Sequence, residues 1–199
     1  MTTTMGRRER KKLQSKQTIL AAAVELFTAK GVRDTSIADI MNKADLGIGT
    51  FYNYFESKDA VLLCLLERLV DQIQDYAKKK IESGYPAGEI LGAVANLTAE
   101  LLAEHRYVLP LFLSAAENSA MQAGKGSHLP APAFKSIFGS IIRYGQQRAE
   151  FREEIPAEIV TEMFHAIFQA ASFSTLKITF QENISLKIKL ILEGIVPRS

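Results

Sequence analysis

Apolar side chains recur at intervals of three and four along almost the whole 199-residue chain, and nowhere do they alternate over a useful length. That spacing lines one face of a helix, so the chain reads as all-α. The nearest thing to a strand, "LKITF" at 176–180, has no second run to pair with. A first helix is expected from about Leu13 to Lys30, burying Ile19, Leu20, Ala23, Leu26 and Phe27, with Gly31 to stop it. A short second helix starts at Ser36, which can cap it with Asp39 three residues on, and buries Ile37, Ile40 and Met41. A tight turn at Ala44-Asp45-Leu46 leads to a third helix ending near Phe55. Ser57 then caps a long fourth helix from Lys58 to about Glu82, with Val61, Leu62, Leu65, Leu66, Leu69 and Ile73 as its apolar stripe. "SGYPAG" at 83–88 breaks it, and further helices are expected at about 87–103, 106–118, 133–149, 157–175 and 184–194.

The stretch "ADLGIGTFYNYFESKDA" at 44–60 departs from the pattern of a segment that only packs a core. Leu46, Phe51 and Phe55 can face inward, but Thr50, Tyr52, Asn53 and Tyr54 carry hydrogen-bonding groups between them. Two short helices about a three-residue turn make a helix-turn-helix, in which the second helix enters the major groove of DNA. That chemistry accounts for the composition. Gly47 and Gly49 remove side chains where the helix lies close to the sugar-phosphate wall, and Thr50 and Asn53 offer bonds to phosphates or base edges. Tyr52 and Tyr54 carry a hydroxyl on a rigid ring, and Ser36 and Lys58 stand at helix starts that can share a phosphate.

Charge supports this division of labour. Residues 1–58 hold ten Lys/Arg against six Asp/Glu, while residues 59–199 hold fourteen against sixteen. A basic front is thus joined to a mildly acidic back. The run "RRERKK" at 7–12, with Arg7, Arg8, Lys11 and Lys12, supplies nonspecific attraction or reaches a neighbouring minor groove. Three domains are expected: a flexible basic arm over 1–12, a helix-turn-helix domain over 13–57 and a ligand-binding and dimerisation domain over 58–199.

Residues 14–60 resemble the DNA-binding domain of the tetracycline-repressor (TetR) family of bacterial transcription regulators. The helix, the gap, the helix-turn-helix and the run Gly-Thr-Phe-Tyr-Asn-Tyr-Phe with Ser-Lys following all occur in order. The resemblance implies an all-α homodimer that binds a palindromic operator in double-stranded DNA and releases it when a small molecule enters the C-terminal domain. It carries DNA contacts onto Ser36, Ile48, Gly49, Thr50, Tyr52, Asn53, Tyr54 and Lys58. Three positions depart from the family pattern. Asp45 replaces a turn glycine but tolerates left-handed backbone. Gly47 replaces a common serine, and Ile48 stands where Lys or Arg is frequent, so a thymine methyl is its natural contact.

Beyond residue 60 the resemblance is architectural. The helices at about 133–149 and 157–175 are more apolar around their circumference than one packing partner requires. By resemblance they form the dimer interface, and their other face closes a ligand cavity. Leu66, Leu69, Leu97, Leu101, Phe112, Phe138, Ile142, Phe164 and Phe168 are its candidate lining, and core packing is the alternative use of each. With few charges on these faces, the effector is expected to be uncharged and largely apolar or aromatic. Ligand can release the operator or, with the sign reversed, promote binding. A DNA-bound scaffold that recruits a protein without an effector is the competing reading.

Other chemistry is thinly supplied. The Gly-Lys-Gly-Ser at 124–127 lacks phosphate-loop spacing, and 122–133 reads as a connector. His105, His128 and His165 have no short-range metal spacing, and no nucleophile with a base at hand points to an enzyme, so neither a metal nor a cofactor is expected. The single cysteine, Cys64, fits a small buried side chain in a reducing compartment. No apolar run approaches the roughly 18 residues of a membrane span, and a cytoplasmic location is expected.

Overall fold

In the computed structural model, which describes residues 6–118 and 131–195, the first helix, α1, runs over Arg7–Lys30. The segment read as a flexible arm is therefore helical from Arg7 onward. The cause is local: Arg, Lys, Glu and Gln are good helix formers even with no apolar face to bury. The Glu9 carboxylate also accepts the Gly6 N–H at 3.2 Å, satisfying a donor at the helix start. The tail before Gly6, the connector up to Pro130 and His128 lie outside the described residues.

Gly31 ends α1 at φ 81°, a backbone angle that a side chain would resist, and its N–H bonds the Phe27 carbonyl. The second helix, α2 (Ile37–Lys43), opens on a reciprocal cap. Ser36 Oγ accepts the Asp39 N–H at 3.0 Å, and Asp39 Oδ2 accepts the Ser36 N–H at 2.9 Å. Lys30 reaches the same carboxylate at 2.8 Å, tying the end of α1 to the start of α2.

These donors hold the Asp39 carboxyl well below its ordinary value, from 3.8 to about 2, through the Lys30 hydrogen bond first and the Ser36 bonds next. A pKa lowered in the folded state means stability that is present above the unfolded value and lost as pH falls through the folded one. The window is thus about 3.8 down to 2. In an acid titration followed by circular dichroism, Asp39→Asn should be less stable at neutral pH and lose less stability across that window than the parent.

After α2 the chain turns at Asp45, which takes φ 53°. The expected helix over 47–55 is a shorter, tighter 3₁₀ helix, Ile48–Asn53. Its bonds include Thr50 N–H to Gly47 O at 2.8 Å and Tyr54 N–H to Phe51 O at 2.9 Å. The long helix α3 (Lys58–Glu82) follows, with the Ala60 N–H bonded to Ser57 Oγ at 3.1 Å.

The chain divides into two units, residues 1–65 and 66–199. In the first, Ile19, Leu20, Ala23, Phe27, Ile40, Met41, Phe51 and Phe55 are buried. The second contains α4 (Ala87–Glu104), α5 (Leu109–Asn118), α6 (Ala131–Gln147), α7 (Ala157–Ser172) and α8 (Phe180–Ile195). There α4 packs on α6 and α8, α7 closes the ring by packing on both of these, and α5 leans on α6 and α7. Among the described residues there is no strand, and no helix is long and apolar enough to cross a membrane.

One expectation about α6 changes. Phe134, Ile137, Phe138, Ile141 and Ile142 are all buried within the unit, because α6 is flanked by α4, α5 and α7 and its apolar circumference is used at home. The large apolar side chains left exposed in this unit lie elsewhere, at Tyr85 before α4, Ile159 and Met163 on α7, Phe173 and Leu176 past its end, and Leu186 and Leu190 on α8.

Candidate nucleic-acid interface

A 3₁₀ helix has three residues per turn, so its side chains fall into three rows. In Ile48–Asn53 the row through Phe51 points inward, and Phe51 is fully buried with its ring 5.8 Å from that of Phe55. The other two rows, Gly49 with Tyr52 and Thr50 with Asn53, face outward. Gly49, Tyr52 and Asn53 are exposed, and Thr50 is half-buried. Tyr52 is 64% exposed even though its ring meets the edge of Phe51 at 5.4 Å. Ile48 shares the Phe51 row by spacing, but at the helix start it is 56% exposed. Tyr54 is half-buried, continuing the Phe51 row. Six residues thus anchor themselves with one ring and leave an aromatic, an amide, a hydroxyl and an isoleucine outside.

The glycines here are not demanded by the protein itself. A Cβ on Gly49 would meet no atom within 4 Å, and one on Gly47 only Thr50 Oγ1 at 4.0 Å. Neither residue has positive φ. Gly49→Ala should therefore leave the melting temperature unchanged or slightly raised, since alanine is favoured over glycine in helices by roughly 0.5–1 kcal/mol. The same change should weaken DNA binding on the scale of one lost contact, about 1–3 kcal/mol, if a sugar-phosphate wall approaches there. Differential scanning fluorimetry and a DNA titration on one preparation check both halves.

Lys58 has a different use from the one expected. Its ammonium donates to the carbonyls of Val32 and Thr35, the latter at 2.7 Å, with Arg33 O at 3.5 Å. An ammonium has three donors, and these three carbonyls of the α1–α2 loop face all of them. Backbone carbonyls in a partly buried loop require partners, and Lys58 supplies them. Its contribution to the interface is to hold the loop that leads into α2, alongside the 2.7 Å bond from Thr35 Oγ1 to Gly31 O. Ser36 is exposed, but its hydroxyl oxygen is occupied by the Asp39 N–H.

The helical start of α1 changes how its cations are presented. Arg7, Arg8, Lys11 and Lys12 are exposed, and Arg8, Lys12 and Lys16 follow one another at a four-residue spacing along one face. Lys16 sits 5.5 Å from the centre of the Phe55 ring, just beyond the 3₁₀ helix. A basic row therefore runs toward the exposed aromatic and polar rows. Lys16 was not among the expected contacts, and the repeat Arg8–Lys12–Lys16 is the signal that marks it.

In the second unit the candidate effector residues are brought together only in part. Phe112, Phe138, Phe164 and Phe168 join Phe134 in one aromatic cluster, with ring centres 4.7 Å apart for Phe112 and Phe134 and 5.1 Å for the stacked Phe138 and Phe164. His165 lies against Phe112 at 6.0 Å. Leu66, Leu101 and Ile142 are buried, while Leu69 and Leu97 are half-buried. Two clefts in this unit are lined by other residues. Among the described residues no group of three or more His, Cys, Asp or Glu could hold a metal ion. Lys80 is engaged with the Tyr85 ring at 3.7 Å.

The fold and the N-terminal geometry define an all-helical helix-turn-helix protein. Residues 19–65 match the model of the bacterial regulatory proteins of the tetR family. An uncharacterised HTH-type transcriptional regulator of Bacillus subtilis, YvdT, is 32% identical over 96 residues, 48% of this chain and 50% of that one. The fatty acid metabolism regulator of the same organism is 24% identical over 146 residues, 73% of this chain and 75% of that one. The chain thus spans half the length of the first relative and three quarters of the second. In fold it is similar to FadR of Thermus thermophilus, a TetR-family repressor in complex with lauroyl-CoA, with a TM-score of 0.68 at 22% identity over 92% of this chain and 96% of that one. The match to the tetR family thus covers residues 19–65, and over the remainder the likeness is one of fold.

Proposed function

We propose that the protein is a homodimeric transcriptional repressor that holds an operator palindrome through two copies of the Ile48–Asn53 helix and releases it when a small, largely apolar ligand enters the second unit. The observation that carries this reading is the pair of outward rows, Gly49 with Tyr52 and Thr50 with Asn53, in which Gly49, Tyr52 and Asn53 are exposed. The basic row of α1 supplies the sequence-independent attraction to phosphate. Ile48 meets a thymine methyl, and Tyr52, Asn53 and Thr50 divide phosphate and base-edge contacts.

Dimerisation is supported by α7 and α8 rather than by α6. On α7, Ile159, Met163, Ala166 and Ala170 recur at four- and three-residue spacing along one face, beside the buried row of Val160, Phe164 and Ile167; Ile159, Met163 and Ala170 are exposed and Ala166 is half-buried or more open. On α8, Leu186 and Leu190 lie opposite the buried Ile184, Ile188 and Ile191. A helix apolar on both faces buries both, and a second copy provides the outer cover. Leu190→Glu, at a position 70% exposed in the single chain, should leave the fold intact and give a monomer in sedimentation. Operator affinity should fall on the order of 10²-fold or more, because the two recognition helices no longer bind as one linked pair.

The ligand reading draws on the aromatic cluster and on the relatives. The T. thermophilus repressor is in complex with lauroyl-CoA and the B. subtilis relative is named for fatty acid metabolism. An acyl chain suits the faces formed by Phe112, Phe138, Phe164 and Phe168. A ligand changes DNA affinity only through its differential affinity for two states, typically about 1–3 kcal/mol of coupling. The test is titration of the protein–operator complex with lauroyl-CoA and with uncharged apolar compounds, alongside direct ligand-binding measurements. Release that tracks ligand occupancy supports the reading. Operator held unchanged while ligand is bound contradicts it. Operator held with no ligand bound favours the scaffold reading, with which the close ring-on-ring packing of the cluster also agrees.

A further inference from the structure

The C-terminal half of α3 and the middle of α6 line an open cleft of about 480 Å³, within the range of roughly 300–1,000 Å³ typical of small-molecule sites. None of the residues expected to hold the apolar effector lines it. Its apolar part is made by Ala77, Ile81 and Ile137, and its charged part by Lys78 and Arg143 against a single acid, Glu82. Neither cation is committed to a tight partner. Lys78 lies 3.8 Å from Glu82 on its own helix, and Arg143 lies 3.6 Å from Glu158. Both distances exceed the roughly 2.7–2.9 Å of a charge-assisted hydrogen bond, and such exposed pairs contribute little.

Arg143 is nonetheless placed. A Cβ on Gly139, one helical turn earlier, would stand 3.3 and 3.4 Å from its two guanidinium Nη atoms and 3.4 Å from Thr161 Oγ1. The glycine therefore leaves the room in which the guanidinium lies along α6. An apolar base beside two loosely paired cations is the complement of an apolar chain ending in an anion.

We propose that this cleft binds an anion-headed amphiphile, a carboxylate on a short alkyl chain, with the head on Lys78 and Arg143 and the chain over Ala77, Ile81 and Ile137. The proposal stands apart from the operator reading, since binding is measured without DNA. Octanoate and 1-octanol, which share a chain and differ in the head, are titrated calorimetrically into the full chain. The comparison is repeated with the double variant Lys78→Ala/Arg143→Ala and with Glu82→Gln. Octanoate should bind about tenfold or more tightly than octanol, the scale of a hydrogen bond between charged groups. The double variant should lose that advantage while melting at the parent's temperature, and Glu82→Gln should bind octanoate more tightly because a competitor for Lys78 is gone. Equal binding of the two probes, no binding of octanoate, or undiminished octanoate affinity in the double variant would each overturn the proposal. The last of these would send the anion to another site, such as the aromatic cluster.

Discussion

Gly145→Ala should unfold the second unit more readily than any other single methyl group added at a glycine of the described residues. A Cβ there would lie 2.4 and 2.7 Å from Cδ2 and Cε2 of Phe151 and 2.7 Å from Cβ of Ala87. Phe151 is buried, Ala87 opens α4, and neither is the far end of a flexible side chain. The same corner is tied by the Ala87 N–H to the Glu150 carboxylate, by Gln146 Nε2 to the carbonyls of Arg152 and Ile155, and by the Glu150 N–H to Gly145 O at 2.9 Å. Relief would have to move α4 and α6 apart. Overpacking of a core typically costs about 1–3 kcal/mol, and three close contacts with no compliant partner put this case at about 3 kcal/mol or more. For a chain of this size that is a fall in melting temperature on the order of 10 °C. Thermal denaturation of the variant measures it directly; a fall of only a degree or two would mean that α4 and α6 are less tightly joined than described.

The second large effect is on DNA. Tyr52→Ala removes a ring that is 64% exposed and lies 5.4 Å from the ring of Phe51. Stability should therefore change little. Operator affinity should fall by about 1–3 kcal/mol per half-site, roughly 10²-fold or more for a dimer that uses the residue twice. Phe51→Ala offers the opposite pattern, since a fully buried ring is lost and unfolding of the helix-turn-helix precedes any effect on recognition. Comparing the two separates a contact residue from a supporting one.

Much of the first unit was legible because its signals are local. Gly31, the Ser36–Asp39 cap and the turn at Asp45 each carry their geometry in their own chemistry, and all three stand where the sequence places them. The start of α1 was less legible because apolar periodicity was the guide, and residues 7–12 have charge and helix propensity but no periodicity. Over six residues a spacing of 3.0 cannot be told from 3.6, which is why the segment at 48–53 read as an ordinary helix. Lys58 shows a deeper limit. Its partners are backbone carbonyls, which every residue possesses, so no side-chain pattern could announce them. The exposure of Leu186 and Leu190 on α8 was not read from the sequence, where α6 and α7 have the more conspicuous apolar content. Gly145 is silent in the sequence, because the demand on it comes from Phe151 and from Ala87, far away in the chain.

The central claim is that the outward rows of Ile48–Asn53 read a DNA sequence. The most direct test is selection of binders from a random duplex library with the purified full chain, followed by fluorescence anisotropy on the selected duplex and a scrambled version across a salt series. The expected result is enrichment of a palindrome, binding to it on the order of 10³-fold or more tighter than to the scrambled duplex, and loss of that preference in Tyr52→Ala. A library in which no sequence is enriched, with equal salt-sensitive binding to every duplex, would contradict it.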